Sequence, residues 1–104
     1  MFTPSEFGGG LNKTSSWTDA YSKAKSFIIV SYKFTFNAYQ RVAFAFIPKD
    51  EVSTSDLFFV GTGGSFTSIN LFTQARVTTS SIINYVLANG DDITSTATIK
   101  YYYD

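Results

Sequence analysis

The chain has 104 residues, 18% of them aromatic, with eight basic residues balancing eight acidic ones and neither Cys nor His. That length suits one domain with a single core. The missing residue types exclude disulfides, imidazole and thiolate metal sites, and Ser-His-Asp or Cys-His nucleophile systems.

Residues 1–16 hold Pro4, the triplet Gly8-Gly9-Gly10 and a polar run from Asn12 to Ser16. They read as an irregular lead-in that Phe2, Phe7 and Leu11 can pin down. The stretch TDAYSKAKS places Ala20, Tyr21 and Ala24 at helical spacing. Ser16 and Asp19 can form a capping box there, so one or two helical turns are expected.

A strong strand follows over residues 27–36, where Ile28, Val30, Tyr32, Phe34 and Phe36 share one face and form its core side. After a break at Asn37-Ala38, residues 41–47 repeat the alternation. Val42, Phe44 and Phe46 are expected to point inward, with Ala43 and Ala45 opposite, and the small alanines imply a second surface packed closely on their side, another strand layer or a neighbouring subunit. Pro48 ends this strand because it cannot donate to the ladder.

Residues 49–56 form a polar connection, and residues 57–60 a short apolar strand. Gly61-Thr62-Gly63-Gly64 is expected to turn into a long strand over 66–77, bent or bulged, with Thr67, Ile69, Leu71, Thr73, Ala75 and Val77 on one face and Phe66 and Phe72 on the other. A strand at 82–88 precedes Asn89-Gly90, the strongest local hairpin signal in the chain, and is expected to pair antiparallel with the closing segment. Ile93, Ala97, Ile99, Tyr101 and Tyr103 stay in phase through the closing segment, with a polar stretch at 94–96 that can widen the turn.

Five to eight short strands at regular spacing describe an all-β fold, an antiparallel β-sandwich or jelly roll with an irregular N-terminal lead-in and at most a short helix. The expected organisation is an irregular segment over 1–16 and one sandwich domain over 17–104.

Little in the chain carries chemistry. Most carboxylates fall in expected turns, where adjacent acids solvate the turn and do not face each other across a cleft. Asp91 and Asp92 could offer oxygens to a cation or to a ligand's hydroxyls, but their spacing matches no calcium loop and the hairpin reading outweighs it. The glycine runs lack the Lys-Ser/Thr of a phosphate loop and the strand-to-helix context of a dinucleotide site. Neither an enzyme nor a cofactor nor a metal site is expected.

The remaining candidates for recognition are aromatic. Alternation along Tyr101-Tyr102-Tyr103 sends Tyr102 to the face opposite its neighbours, where a ring can stack on a sugar or anchor a protein contact. A terminal strand with aromatic cross-strand pairs is the plainer account of the same triplet. Trp17 reads as a plug under the sandwich more than as a ligand platform, and Tyr39 as a loop-exposed aromatic. The candidate ligand-binding set is therefore Trp17, Tyr39, Asp91, Asp92 and Tyr102.

A neutral chain has no field to gather phosphates, so nucleic acid is a poor partner, whereas weak self-repulsion favours assembly. The apolar stretches are too short for membrane insertion.

Taken in order, Trp17, the strand FIIVSYKF, the strand RVAFAFIPKD, then FFVGTGG, QARVTTSSI and the closing ATIKYYYD resemble the small C-terminal β-sandwich modules of tail-associated structural proteins of bacteriophages. The resemblance covers about residues 15 to 104. It implies a virion component of a tail fibre, baseplate or neck that assembles as a trimer or larger ring with other virion proteins and touches a cell-surface glycan or protein. It assigns no functional residue. The alternative is a free-standing, extracellular carbohydrate-binding module, with Trp17, Tyr39 or Tyr102 stacking on sugar and Asp91 or Asp92 accepting hydroxyl hydrogen bonds.

Overall fold

The computed structural model describes residues 11–66 and 69–104, and within them it is an all-β sandwich of two four-stranded antiparallel sheets with one short helix. In chain order the elements are β1 (Asn12–Thr14), α1 (Trp17–Lys23), β2 (Phe27–Phe36), β3 (Tyr39–Pro48), β4 (Leu57–Phe66), β5 (Ile69–Val77), β6 (Ile82–Ala88), β7 (Asp91–Asp92) and β8 (Thr98–Tyr103). The first sheet has the order β1-β8-β2-β3 and the second β4-β5-β6-β7. The glycine triplet, Phe2, Phe7, Thr67 and Ser68 lie outside the described residues.

The lead-in is not irregular throughout. Residues 12–14 add a strand to the first sheet, pairing Asn12, Lys13 and Thr14 with Tyr103, Tyr102 and Tyr101, because β8 would otherwise leave that flank unpaired. The expected helix is present over seven residues. Ser16 caps it by accepting from the Asp19 amide at 3.2 Å, and its own amide donates to Thr14 Oγ1 in place of the reciprocal half of a capping box.

Strands β2 and β3 pair without interruption from Phe27–Pro48 to Phe36–Tyr39. Their two-residue link, Asn37-Ala38, has φ of 53° and 67°, the backbone of a type I′ hairpin turn. The matching turn at Asn89-Gly90, with φ of 52° and 85°, joins β6 to the two-residue β7, while the closing strand expected to pair with β6 crosses to the first sheet as β8. Beyond it the polar stretch at 94–96 winds into a 3-10 helix, and β8 begins only at Thr98.

Gly61-Thr62-Gly63-Gly64 is not the turn expected of it. These residues run inside β4, whose pairing with β5 slips between Val60 and Gly63 and continues to Phe66 opposite Ile69, so the expected single strand over 66–77 is divided between β4 and β5. Glycine inside a strand marks a bulge as readily as a turn, which is the distinction composition does not make.

The core lies between the sheets. Ile28, Val30, Tyr32 and Phe34 of β2 fill it as expected, against Ala75, Val77 and Val86 of the second sheet. The face of β3 is the reverse of expectation: Ala43, Ala45 and Ile47 are buried, while Val42, Phe44 and Phe46 are 52%, 49% and 58% exposed. Register supplies the reason. Directly paired residues share a face, and the buried partners of Ala43, Ala45 and Ile47 are Tyr32, Val30 and Ile28. A tyrosine ring in the core leaves room for only a methyl group beside it. The second layer inferred from the alanines is the sheet containing β4 and β5.

Candidate functional site

The interior contains one conspicuous polar cluster, and it is structural. Tyr32 Oη donates to Asn84 Oδ1 at 2.9 Å, and Asn84 Nδ2 donates to Tyr101 Oη at 2.9 Å, linking the two sheets. Burial pushes both phenols above their ordinary range, Tyr32 further by its proximity to Tyr101, so both stay neutral. This satisfies groups that would be costly to bury unpaired.

The surface that stands out is the outer face of the first sheet. Reversing β3 turns its aromatics outward, and the register sets Tyr102 of β8, Ile29 of β2 and Phe46 of β3 in one row. Phe44 lies one row further along, and Phe27 stacks on Phe46 with centroids 5.3 Å apart. Leu11, Ile29, Phe44, Phe46 and Tyr102 line a groove of about 440 Å³. A second, more polar groove beside it shares Phe44 and Tyr102 and adds Ser31, Lys33, Thr98 and Lys100.

Among the described residues, the charge borne by the strands of this face has one sign. Lys13, Lys33 and Lys100 are exposed at outward positions, and none of β1, β2, β3 or β8 contains an Asp or Glu. The described acids all lie outside these four strands. An apolar strip bordered by lysines favours an occupant that is apolar in its middle and not cationic at its rim.

The structure separates the residues that the sequence singled out. Trp17 is 4% exposed, its Nε1 donates to the Thr78 carbonyl at 3.0 Å, and its ring meets Tyr101 edge-on at 6.0 Å. It is the plug, with no face free for a ligand. Tyr39 is 67% exposed at the tip of the β2–β3 hairpin, with the Arg41 guanidinium 5.7 Å from its ring centre.

Tyr102 alone of the five lines the groove. Tyr39 pairs with Phe36 and Tyr102 with Ile29, seven residues apart on β2, which is roughly 24 Å at strand rise. Asp91 and Asp92 sit on β7 at an edge of the other sheet. Asp92 accepts from the hydroxyl and amide of Thr94, which hold its carboxyl below the usual range and fasten the 3-10 helix. Among the described residues no three acidic side chains gather where a cation could bind.

Sequence reasoning missed Leu11, Ile29, Phe44 and Phe46 as surface residues. The available signal was the pairing problem: two alternating faces of β3, one of alanines and one of aromatics, must oppose a strand whose core face contains Tyr32. Among the described residues no helix is long and apolar enough to cross a membrane. Comparison of the chain with protein-family models, curated proteins and solved structures gives no match.

Proposed function

We propose that the chain is a non-catalytic structural or host-attachment module of a bacteriophage particle, in a tail fibre, baseplate or neck, working by assembly and surface contact. The observation that carries the contact half of this reading is the outer face of the first sheet. Val42, Phe44 and Phe46 stand half exposed on a regular strand, where polar residues would fold equally well. A groove lined by Leu11, Ile29, Phe44, Phe46 and Tyr102, offering one hydroxyl among five side chains, suits apolar side chains of another protein better than a sugar. The bacteriophage setting comes from the resemblance of the strand sequence described above.

Antibody raised against the chain is expected to decorate purified particles at one fixed position in negative-stain electron microscopy. Label confined to the soluble fraction of the lysate would overturn the assignment.

The neighbouring groove, less apolar than the first and lined also by Val42, favours one second reading, carbohydrate binding. There the Tyr102 ring lies beside Lys33, Thr98 and Lys100, which can donate to sugar hydroxyls or to an acidic sugar. A broad glycan array distinguishes the two: binding that Tyr102→Ala abolishes without unfolding supports the sugar reading, and silence across the array removes it.

A further inference from the structure

Among the described residues the two sheets end in four edge strands, and three of them are blunted. β1 has three residues and β7 has two, too short to template another chain. The β4 edge is broken where its register slips between Val60 and Gly63. β3 is different: ten residues long and paired without interruption to β2, it contains Arg41 as its one charge and Pro48 only at its end. Natural sheets protect such an edge with lysine, proline or a bulge, and β3 has none of these in its middle.

Charge along the strand is arranged for self-pairing. Arg41 lies near its start, its Nε donating to the Phe36 carbonyl at 3.2 Å, and the exposed carboxylates of Asp50 and Glu51 follow its end in the 3-10 helix Lys49–Glu51. Lys49, between them, is turned onto its own chain, with Nζ donating to the Ala24 carbonyl at 2.7 Å and lying 5.0 Å from the Tyr21 ring centre. An antiparallel copy therefore lays the positive end of each strand beside the negative end of the other. A parallel copy would set like ends together.

We infer that a second copy of this chain docks on β3, antiparallel about a twofold axis at Phe44, joining the two first sheets into one eight-stranded sheet. This rests on the assembly half of the proposed function and departs from the trimer or ring that the resemblance implies. Keeping alanines inward in both copies requires an even register, because a slip of one residue inverts the faces. With Phe44 on the axis, Val42 lies opposite the partner's Phe46, and the two apolar strips become one.

Arg41 then lies opposite the partner's Ile47, and the partner's Asp50 follows three residues on, in the 3-10 helix past the strand's end, where its charge biases the pairing at low ionic strength. The two Arg41 side chains stay roughly 20 Å apart, so they do not repel appreciably. Such a contact is isologous and closes on itself, ending the exposed edge.

The absence of native Cys makes the test direct. Sedimentation of the full chain from about 10 μM to 1 mM, a span that reveals dissociation constants in this range, should show reversible dimerisation to twice 11.5 kDa. Under mild oxidation Phe44→Cys should form a disulfide-linked dimer, since residues opposite each other at the axis are within disulfide reach. Ile83→Cys, equally exposed on the other sheet, should not. Phe44→Lys should weaken the dimer at least tenfold, and Arg41→Glu should also weaken it, with Asp50→Lys and Glu51→Lys restoring affinity to the Arg41→Glu chain.

A monomer throughout the range, a trimer, or cross-linking of Ile83→Cys as readily as Phe44→Cys would overturn the inference. Phe44→Cys is conservative enough to carry the result if Phe44→Lys does not fold. Failure here leaves the particle-labelling test standing, and failure there leaves the dimer.

Discussion

Two polar side chains close the fold, and each acts through groups it satisfies. Asn84 bridges Tyr32 and Tyr101 between the sheets, with one amide atom for each phenol. Asn84→Ala leaves a buried phenol without an acceptor and should lower unfolding free energy by about 2 kcal/mol in urea denaturation. Tyr32→Phe removes donor and cost together and should lose less. Asp104 acts at the other end of the chain: its carboxylate accepts from the amides of Lys25, Ser26 and Phe27 and from the Ser26 hydroxyl, fastening the start of β2. Desolvation pushes its titration up, but these four donors outweigh it and hold the carboxyl at about 2 against an ordinary 3.8. A depressed folded value means stability present above the unfolded value and lost as pH falls through the folded one. Asp104→Asn should therefore flatten the fall in thermal midpoint between about pH 4 and about pH 2 and leave the profile above pH 5 unchanged in shape.

Elements differ in how much their sequence reveals, and hairpin turns reveal most. Asn89-Gly90 announces its type I′ geometry because both residues tolerate positive φ, whereas Asn37-Ala38 adopts the same turn with an alanine at φ 67°. A left-handed alanine costs about 1–2 kcal/mol, partly offset by the greater freedom glycine would have in the unfolded chain. Ala38→Gly should thus stabilise the protein by about 0.5–1 kcal/mol, read as a higher urea midpoint at constant slope. β2 was legible in full because only one of its faces is apolar throughout. β3 was not, since hydrophobicity sends Phe44 and Phe46 inward and only the cross-strand demand of Tyr32 sends Ala43 and Ala45 there instead. The reversal has an energetic consequence opposite to that of hydropathy: Ala45→Leu, an apolar gain in a filled core, should cost about 1–3 kcal/mol, while Phe44→Thr should cost less than about 1 kcal/mol. Equal losses would mean that β3 does not present its alanines to the second sheet.

At the scale of the whole molecule, the two sheets need a stopper at the end where α1 crosses, and Trp17 supplies it. The helix brings the indole between residues far apart in sequence, its Nε1 donating to the carbonyl of Thr78, just past the end of β5 in the second sheet, and its ring against Tyr101 of the first. The outline of the sandwich was readable from strand spacing and Trp17 was readable as its plug, but the partners Thr78 and Tyr101 were not, because nothing local specifies which residues meet across the two layers. The candidate site was legible to the same partial degree: alternation placed Tyr102 on an outer face, while its neighbours Phe44 and Phe46 were hidden by the inverted reading of β3. These two assignments can be tested against each other. As the single tryptophan of the chain, Trp17 reports its own surroundings. Buried at 4% exposure, it should emit at short wavelength and resist acrylamide quenching until the cooperative unfolding transition. Trp17→Ala removes a large buried ring and should cost about 3–5 kcal/mol, enough to unfold a marginal domain. Tyr102→Ala, on the surface, should leave the transition nearly unmoved. A readily quenched Trp17 whose replacement left stability intact would place it on a recognition surface and remove the plug; a protected Trp17 leaves recognition to the β2–β3–β8 face.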